Sequence, residues 1–317
     1  MLKIKLLNKM PEQVNGKFQN KEIIPSEEIQ EIIPDENFDG LKKVVVNRIP
    51  DEYVKLDDYF AENIEVSNTS NGWTSVVKKF RSPLIVTSAK AEGMFANYPF
   101  EKLPELINTS IITDATEMFI YCINVTEMPY IDTSNATKMF GFYSQCKKLK
   151  NVPLIDTSKA IDMRSFFKNC NNIEEIPQIN MIKAQRVAGM FEDCRQLAKI
   201  PKLNWESVIE TTTSSYNYYL FNGCPKLKEL GGFQNLGMNY DTSKSANYNA
   251  YAMPLVDAYN ESLSSLTVES IENVINELYD IKSKGCNAQQ LIVGTKNISK
   301  LSSEIIAVAN EKGWTLK

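Results

Sequence analysis

Four cysteines, Cys122, Cys146, Cys170 and Cys194, recur every 24 residues, and Cys224 follows after a six-residue insertion. Thiols at a fixed period suit three kinds of chemistry: a disulfide ladder, a metal site or a packed column of free thiols. The chain contains no histidine, and no two cysteines have the C-x-x-C spacing of a zinc site, which argues against metal. Thiols stacked in neighbouring repeats could approach disulfide distance, but synthesis in a cytosol favours the reduced form. Free cysteine is small and among the most buried residue types, so Cys122, Cys146, Cys170, Cys194 and Cys224 are expected to form a structural column.

A second periodic set is Asp132, Asp156, Asn180 and Asn204, with Asn108 before it. Calcium wants six to eight oxygens and several converging carboxylates. Only two of these five positions are acidic, so a ladder of turn-capping side chains is the expected role. A tyrosine cluster (Tyr216, Tyr218, Tyr219, Tyr240, Tyr248, Tyr251 and Tyr259) is either a closure of the irregular end of the repeats or a binding platform for sugar or protein. The sequence has no glycine-rich phosphate loop, no G-x-S-x-G elbow and no metal-ligand set. Without histidine the imidazole-dependent triads are excluded. No enzymatic activity, cofactor or metal is expected.

These residues must be positioned by a repeating unit. An aromatic precedes each thiol by three residues, as in Phe119…Cys122, Tyr143…Cys146, Phe167…Cys170, Phe191…Cys194 and Phe221…Cys224. A period of this length is the signature of a solenoid, in which each repeat contacts only its neighbours. Cys146, Leu149, Val152 and Ile155 lead through a short extended run, read as one strand per rung. Ala136, Met139, Phe142 and Cys146 fall at the three-to-four spacing of a short helix. The expected fold is an α/β solenoid, a leucine-rich-repeat-like coil of ~24-residue rungs, with a small N-terminal β-module and an α/β C-terminal cap.

If Val152 and Ile155 point inward, two flanking columns point outward. They are Glu127, Asn151, Glu175 and Lys199, and Tyr130, Leu154, Gln178 and Lys202. These eight residues are the candidate binding surface.

The domain reading follows from the ends. Residues 1–52 form a β-rich docking module, residues 53–82 a cap or linker, residues 83–240 the coil, and residues 241–317 an irregular segment and cap. In the first module Lys21–Ser26 and Gln30–Asp35 echo one another, Asn37–Leu41 supplies a turn, and Lys43–Pro50 is rich in strand formers. Trp73–Phe80 reads as a short helix before the first rung. Near the C-terminus an amphipathic helix starts at Thr267, with Ile271, Val274, Ile275 and Leu278 on one face. A strand over Gln290–Gly294, a helix over Lys300–Asn310 and a strand at Trp314–Leu316 follow.

At 317 residues, 43% hydrophobic and 23% charged, the chain has the composition of a soluble globular protein. Its net charge of -4 offers no electrostatic case for nucleic acid or an anionic membrane. Lys3, Lys5 and Lys9 interrupt the apolar residues at the start, so no secretion signal is expected. No stretch reaches the ~18–20 apolar residues of a membrane span, so no membrane insertion is expected.

The unit Pro-x-Ile-Asp-Thr-Ser-x-Ala-x-x-Met…Phe-x-x-Cys-x-x-Leu, carried for example by Pro153–Met163 and Phe167–Ile173, resembles the BspA-type leucine-rich repeat family of bacterial surface and phage proteins. The likeness spans residues ~83–235, and Leu266–Leu316 is similar to the cap that follows such repeats. Residues 20–50, with Phe38-Asp39-Gly40-Leu41 at their centre, resemble N-terminal modules of phage tail and other virion-associated proteins. The resemblance implies a non-enzymatic virion protein, assembled in the host cytoplasm, that docks to other virion proteins through its N-terminal module. A host-surface glycan or protein is the implied partner of the coil, and a homo-oligomer is compatible with it. The alternatives are a bacterial cell-surface adhesin and a structural decoration without receptor activity.

Overall fold

A computed structural model describes strands at 2–5, 9–14, 17–22, 29–34, 42–46, 61–68 and 73–80, and residues 84–86, 88–209, 219–239, 252–256 and 264–317. The turn expected over Asn37–Leu41, and Tyr216, Tyr218, Tyr240, Tyr248, Tyr251 and Tyr259, lie outside the described residues. The chain divides into two compact units.

The first unit comprises Met1–Ser88 with Pro104–Ile111 and Pro129–Asp132. Its strands are β1 (Leu2–Lys5), β2 (Lys9–Val14), β3 (Lys17–Glu22), β4 (Ile29–Pro34), β5 (Lys42–Val46), β6 (Ala61–Asn68), β7 (Trp73–Phe80), β8 (Leu84–Ile85) and β9 (Leu106–Ile107). The valine-rich β5 lies between β1 and β4, antiparallel to both. β2 and β3 form a hairpin, and so do β6 and β7. β8 and β9 pair in parallel, and Asn108 Nδ2 extends that pairing by donating to the Val86 carbonyl at 2.9 Å.

The helix expected at Trp73–Phe80 is a strand. Thr74, Val76 and Val77 are β-branched and lose rotamer freedom in a helix. The antiparallel partner Ala61–Asn68, in register from Ala61↔Phe80 to Asn68↔Trp73, supplies the hydrogen bonds.

The second unit comprises Ala89–Leu103, Ile112–Met128 and Thr133–Lys317. Here each 24-residue segment lies parallel to the next, through isolated bridges such as Asp114↔Lys138 and Asp162↔Arg186. Longer pairings appear where β10 (Lys199–Ile200) meets β12 (Glu229–Leu230) and β11 (Leu203–Asn204) meets β13 (Phe233–Gln234).

The apolar stripe between the strands is not a helix. Two sets of hydrogen bonds alternate residue by residue. Ala115, Glu117, Phe119 and Tyr121 donate their N–H groups to Lys138, Phe140, Phe142 and Ser144 of the next segment, at 2.7–3.1 Å. Met118, Ile120 and Cys122 donate three residues back, to Ala115, Glu117 and Phe119. Left-handed φ recurs every fourth residue, at Glu117 and Tyr121, Gly141 and Gln145, and Ser165 and Asn169. The cause is the pitch. Segments in parallel pairing are ~4.8 Å apart, whereas packed helices need 8–10 Å between axes. A chain of tight turns gives half its amides to the neighbouring segment and fits the shorter spacing.

That spacing stacks like on like. Phe95, Phe119, Tyr143, Phe167, Phe191 and Phe221 form one aromatic column, with successive ring centroids 5.4–5.9 Å apart and planes within 25° of parallel. Val125, Leu149, Ile173, Leu197 and Leu227 form a second column, all buried. Fully burying one such side chain contributes about 1.5–3 kcal/mol.

The C-terminal part covers the last segments. Its elements are β14 (Ala252–Pro254), α1 (Val268–Glu277), β15 (Gln289–Ile292), α2 (Thr295–Ile298), α3 (Ser303–Glu311) and β16 (Trp314–Leu316). β15 lies between β14 and β16 in a parallel sheet. Thr267 caps α1 by accepting from the Ser270 N–H, and Ile271, Val274, Ile275 and the C-cap Leu278 are buried. Ser270 Oγ donates to the Lys228 carbonyl at 2.9 Å and accepts from the Leu230 N–H at 3.0 Å. Asn273 Nδ2 donates to the Leu230 carbonyl at 3.3 Å. The polar side of α1 thus satisfies backbone groups of the Glu229–Leu230 strand that would otherwise face no further segment. Lys312 Nζ donates in turn to the carbonyls of Ile275 and Asn276 at the end of α1.

Candidate binding groove

Three of the periodic Asx residues close the same local turn. Asp156 Oδ1 accepts from Ser158 N–H at 2.8 Å, Asn180 Oδ1 from Ile182 N–H at 3.0 Å and Asn204 Oδ1 from Glu206 N–H at 2.8 Å. This is the Asx-turn, in which a short side chain stands in for a backbone carbonyl. The buried threonine that follows each aspartate ties one segment to the next. Thr157 Oγ1 donates to the Asn180 carbonyl at 2.8 Å and accepts from the Asn180 N–H at 2.9 Å. Thr133 Oγ1 donates to the Asp156 carbonyl at 2.7 Å.

Beside these turns lies an open groove of about 450 Å³, lined by Asp156, Gln178, Asn180, Lys202, Asn204 and Gln234, with Thr157 and the apolar residues Ile155, Ile179 and Met181. Ile179 and Met181 are buried beneath the polar lining residues. Gln178 Nε2 donates to the Lys202 carbonyl at 2.8 Å. Lys202 Nζ reaches Glu277 on α1 at 2.7 Å, which leaves Asp156 as the charged lining residue without a counter-ion among the described residues. Gly231 packs against the backbone of Lys202, one of the lining residues. A Cβ there would collide with the backbone nitrogen of Lys202 and sit 2.8 Å from the Pro201 carbonyl carbon.

All eight predicted surface residues are exposed. The groove brings together Gln178 and Lys202. Glu127, Asn151, Glu175 and Lys199 fall instead on a separate ladder, bridged Glu127↔Asn151 and Glu175↔Lys199, with a Lys199–Glu229 ion pair at 3.1 Å. Leu154 is 76% exposed and lines no part of the groove, and Tyr130 belongs to the first unit. Asp156, Asn180 and Asn204 were expected only as turn formers, and Gln234 was not singled out. The missed signal was the spacing of two: Gln178 and Asn180, like Lys202 and Asn204, are i and i+2 on an extended run and share a face.

The five periodic cysteines are free and buried. Each thiol donates to the carbonyl of the aromatic one segment back: Cys122 to Phe95, Cys146 to Phe119, Cys170 to Tyr143, Cys194 to Phe167 and Cys224 to Phe191, at 2.9–3.2 Å. Burial pushes the thiol pKa up at Cys146, Cys170, Cys194 and Cys224. Among the described residues no group of three or more Cys, Asp or Glu is placed to hold a metal ion.

A second charged feature runs beside the turns. Lys90, Asp114, Lys138, Asp162 and Arg186 pair segment to segment with alternating sign. Lys138 Nζ lies 2.9 Å from Asp114. Asp162 takes the Arg164 guanidinium on both oxygens, at 2.9 and 2.7 Å, and Arg186 at 3.5 Å. Burial alone would raise the Asp114 carboxyl pKa, but hydrogen bonds from Lys138 and Thr116 outweigh it and hold it below the ordinary value.

The parallel 24-residue segments thus carry a thiol-to-carbonyl column inside and an open polar groove outside. Residues 89–205 match the model of a family described as Mycoplasma protein of unknown function, DUF285, which is related to the BspA-like repeat proteins. No curated protein and no solved structure matches the chain.

Proposed function

We propose that this chain is a non-enzymatic bacteriophage virion protein, in which a leucine-rich-repeat-like solenoid presents the groove to a host-surface molecule. The N-terminal β-rich residues 1–52 dock it to other virion proteins. The observation that carries the recognition half is the groove, whose convergent polar side chains are fixed by turns of the stack itself. The docking half is supported by the likeness of residues 20–50 to virion-associated modules. Mass spectrometry of purified particles is expected to find the chain in fixed stoichiometry to the major virion proteins, and the isolated chain is expected to bind host cells. Absence from particles refutes the virion assignment, and failure to bind cells reduces the protein to a decoration.

The family match favours a second reading. Its description refers to proteins of Mycoplasma, a cellular organism, so similar repeats on a bacterial surface would make this chain an adhesin. Detection on intact cells and not on particles would select that reading.

A further inference from the structure

The geometry points to an uncharged glycan as the ligand of the groove bounded by Asp156, Asn180, Asn204 and Gln234. This deepens the recognition role proposed above and does not depend on which particle or cell carries the chain. Each Asx turn occupies one side-chain oxygen and so fixes the rotamer of its residue. What remains is the second oxygen of Asp156, an acceptor, and the side-chain NH₂ groups of Asn180 and Asn204, each with two donor hydrogens. None of these atoms has a partner among the described residues. Successive segments space them by ~4.8 Å. The groove therefore offers a rigid row of acceptor, donor, donor beside Ile155, the apolar lining residue that keeps the most exposure.

Hydroxyl groups suit this row because each both donates and accepts. A sugar ring adds an apolar C–H face for the accessible part of Ile155. Anionic ligands suit it poorly, since Lys202 is already neutralised by Glu277 and the remaining charge, on Asp156, repels them. An extended peptide would seek a free backbone edge, and here the groups on offer are side chains.

The test uses the full chain on an array of immobilised uncharged hexose and N-acetylhexosamine oligosaccharides, with sialylated glycans, phosphorylated glycans and peptides beside them. Asn180→Asp and Asn204→Asp keep the turn oxygen, as the natural Asp156 at the same repeat position does, but turn the outward donor into an acceptor. Gln234→Ala alters the groove at an exposed position outside any of these turns. Binding to at least one uncharged glycan is expected, weakened at least tenfold by either Asp substitution and by Gln234→Ala, with thermal midpoints unchanged. No retained uncharged glycan overturns the inference, as does binding confined to peptides or anionic glycans, or binding indifferent to all three variants. Absence of the chain from virions would leave it standing, and a blank array would leave virion incorporation standing.

Discussion

The Cys170 thiol donates a hydrogen bond to the backbone carbonyl of Tyr143, 27 residues earlier, at 3.0 Å. The same carbonyl accepts from the Cys146 N–H at 3.1 Å, so the aromatic carbonyl is shared between its own turn and the next segment. This explains why the position repeats as cysteine. The site needs a side chain small enough for the turn, apolar enough for full burial and able to give one hydrogen to a carbonyl.

Cys170→Ala removes that donor and leaves a small void, and is expected to lower stability by about 1–2 kcal/mol. Cys286→Ala, at a half-buried position in the C-terminal part, is expected to stay within about 0.5 kcal/mol. Denaturant unfolding of both variants checks the contrast. In the folded protein a thiol reagent is expected to react with Cys286 alone, and with all six cysteines after unfolding.

The buried thiols also set a pH dependence. Burial raises the folded pKa values of Cys146, Cys170, Cys194 and Cys224, while in the unfolded chain these four ionise near ~8.5. Stability from this source is fully present below about pH 8.5 and is lost as the pH climbs towards the folded values. The expected slope is about 1.4 kcal/mol per pH unit for each thiol. Unfolding free energies at pH 7, 9 and 10 test it; a flat profile above pH 9 would contradict the column.

Tyr143 stands where the rest of its column has phenylalanine. Its hydroxyl is buried without a hydrogen-bond partner among the described residues, and burial pushes its pKa up. Tyr143→Phe is expected to raise stability by about 1–2 kcal/mol, and Phe167→Tyr to lower it by a similar amount. Thermal melts of the two variants should move in opposite directions.

Asp162 joins Arg164 and Arg186, and its side chain is 8% exposed. Asp162→Asn is expected to lower stability by about 1–3 kcal/mol. Asp162→Lys, which would sit between Lys138 and Arg186 in the ladder, is expected to cost more still and to be partly relieved by salt.

Gly231→Ala forces a methyl against the backbone of Pro201 and Lys202. A loss of about 1–3 kcal/mol is expected, together with a weakened groove, read as lower glycan retention at a temperature where the variant is still folded.

Much of the architecture was legible in the chain because the same constraint repeats. The period of 24 with its fixed aromatic-to-thiol interval runs through the segments that lie parallel to one another, and the apolar face that starts at Thr267 marks the helix that follows. Two readings failed for local reasons. A three-to-four apolar spacing is shared by a helix and by a run of four-residue turns; the sequence does not state that half the amides are given to a neighbour. Trp73–Phe80 has helix-compatible length, and its strand partner lies at Ala61–Asn68.

The candidate groove was half visible. Gln178 and Lys202 could be placed on an outward column, and the Asx residues could be assigned to turns. That the turns use one oxygen each and leave the other atoms facing a shared groove is a matter of rotamer and stacking distance. Gln234 enters through a 30-residue step that carries it beside Asn204.

By itself, then, the sequence determined the period, the identity of the interior columns and the turn chemistry, because those follow from residue type and spacing along one chain. The tertiary structure decided which amides bond between segments, which charge meets which across the ladder, and which side chains converge on one groove. Those depend on the ~4.8 Å approach of neighbouring segments, a distance across the stack that no interval along the chain encodes.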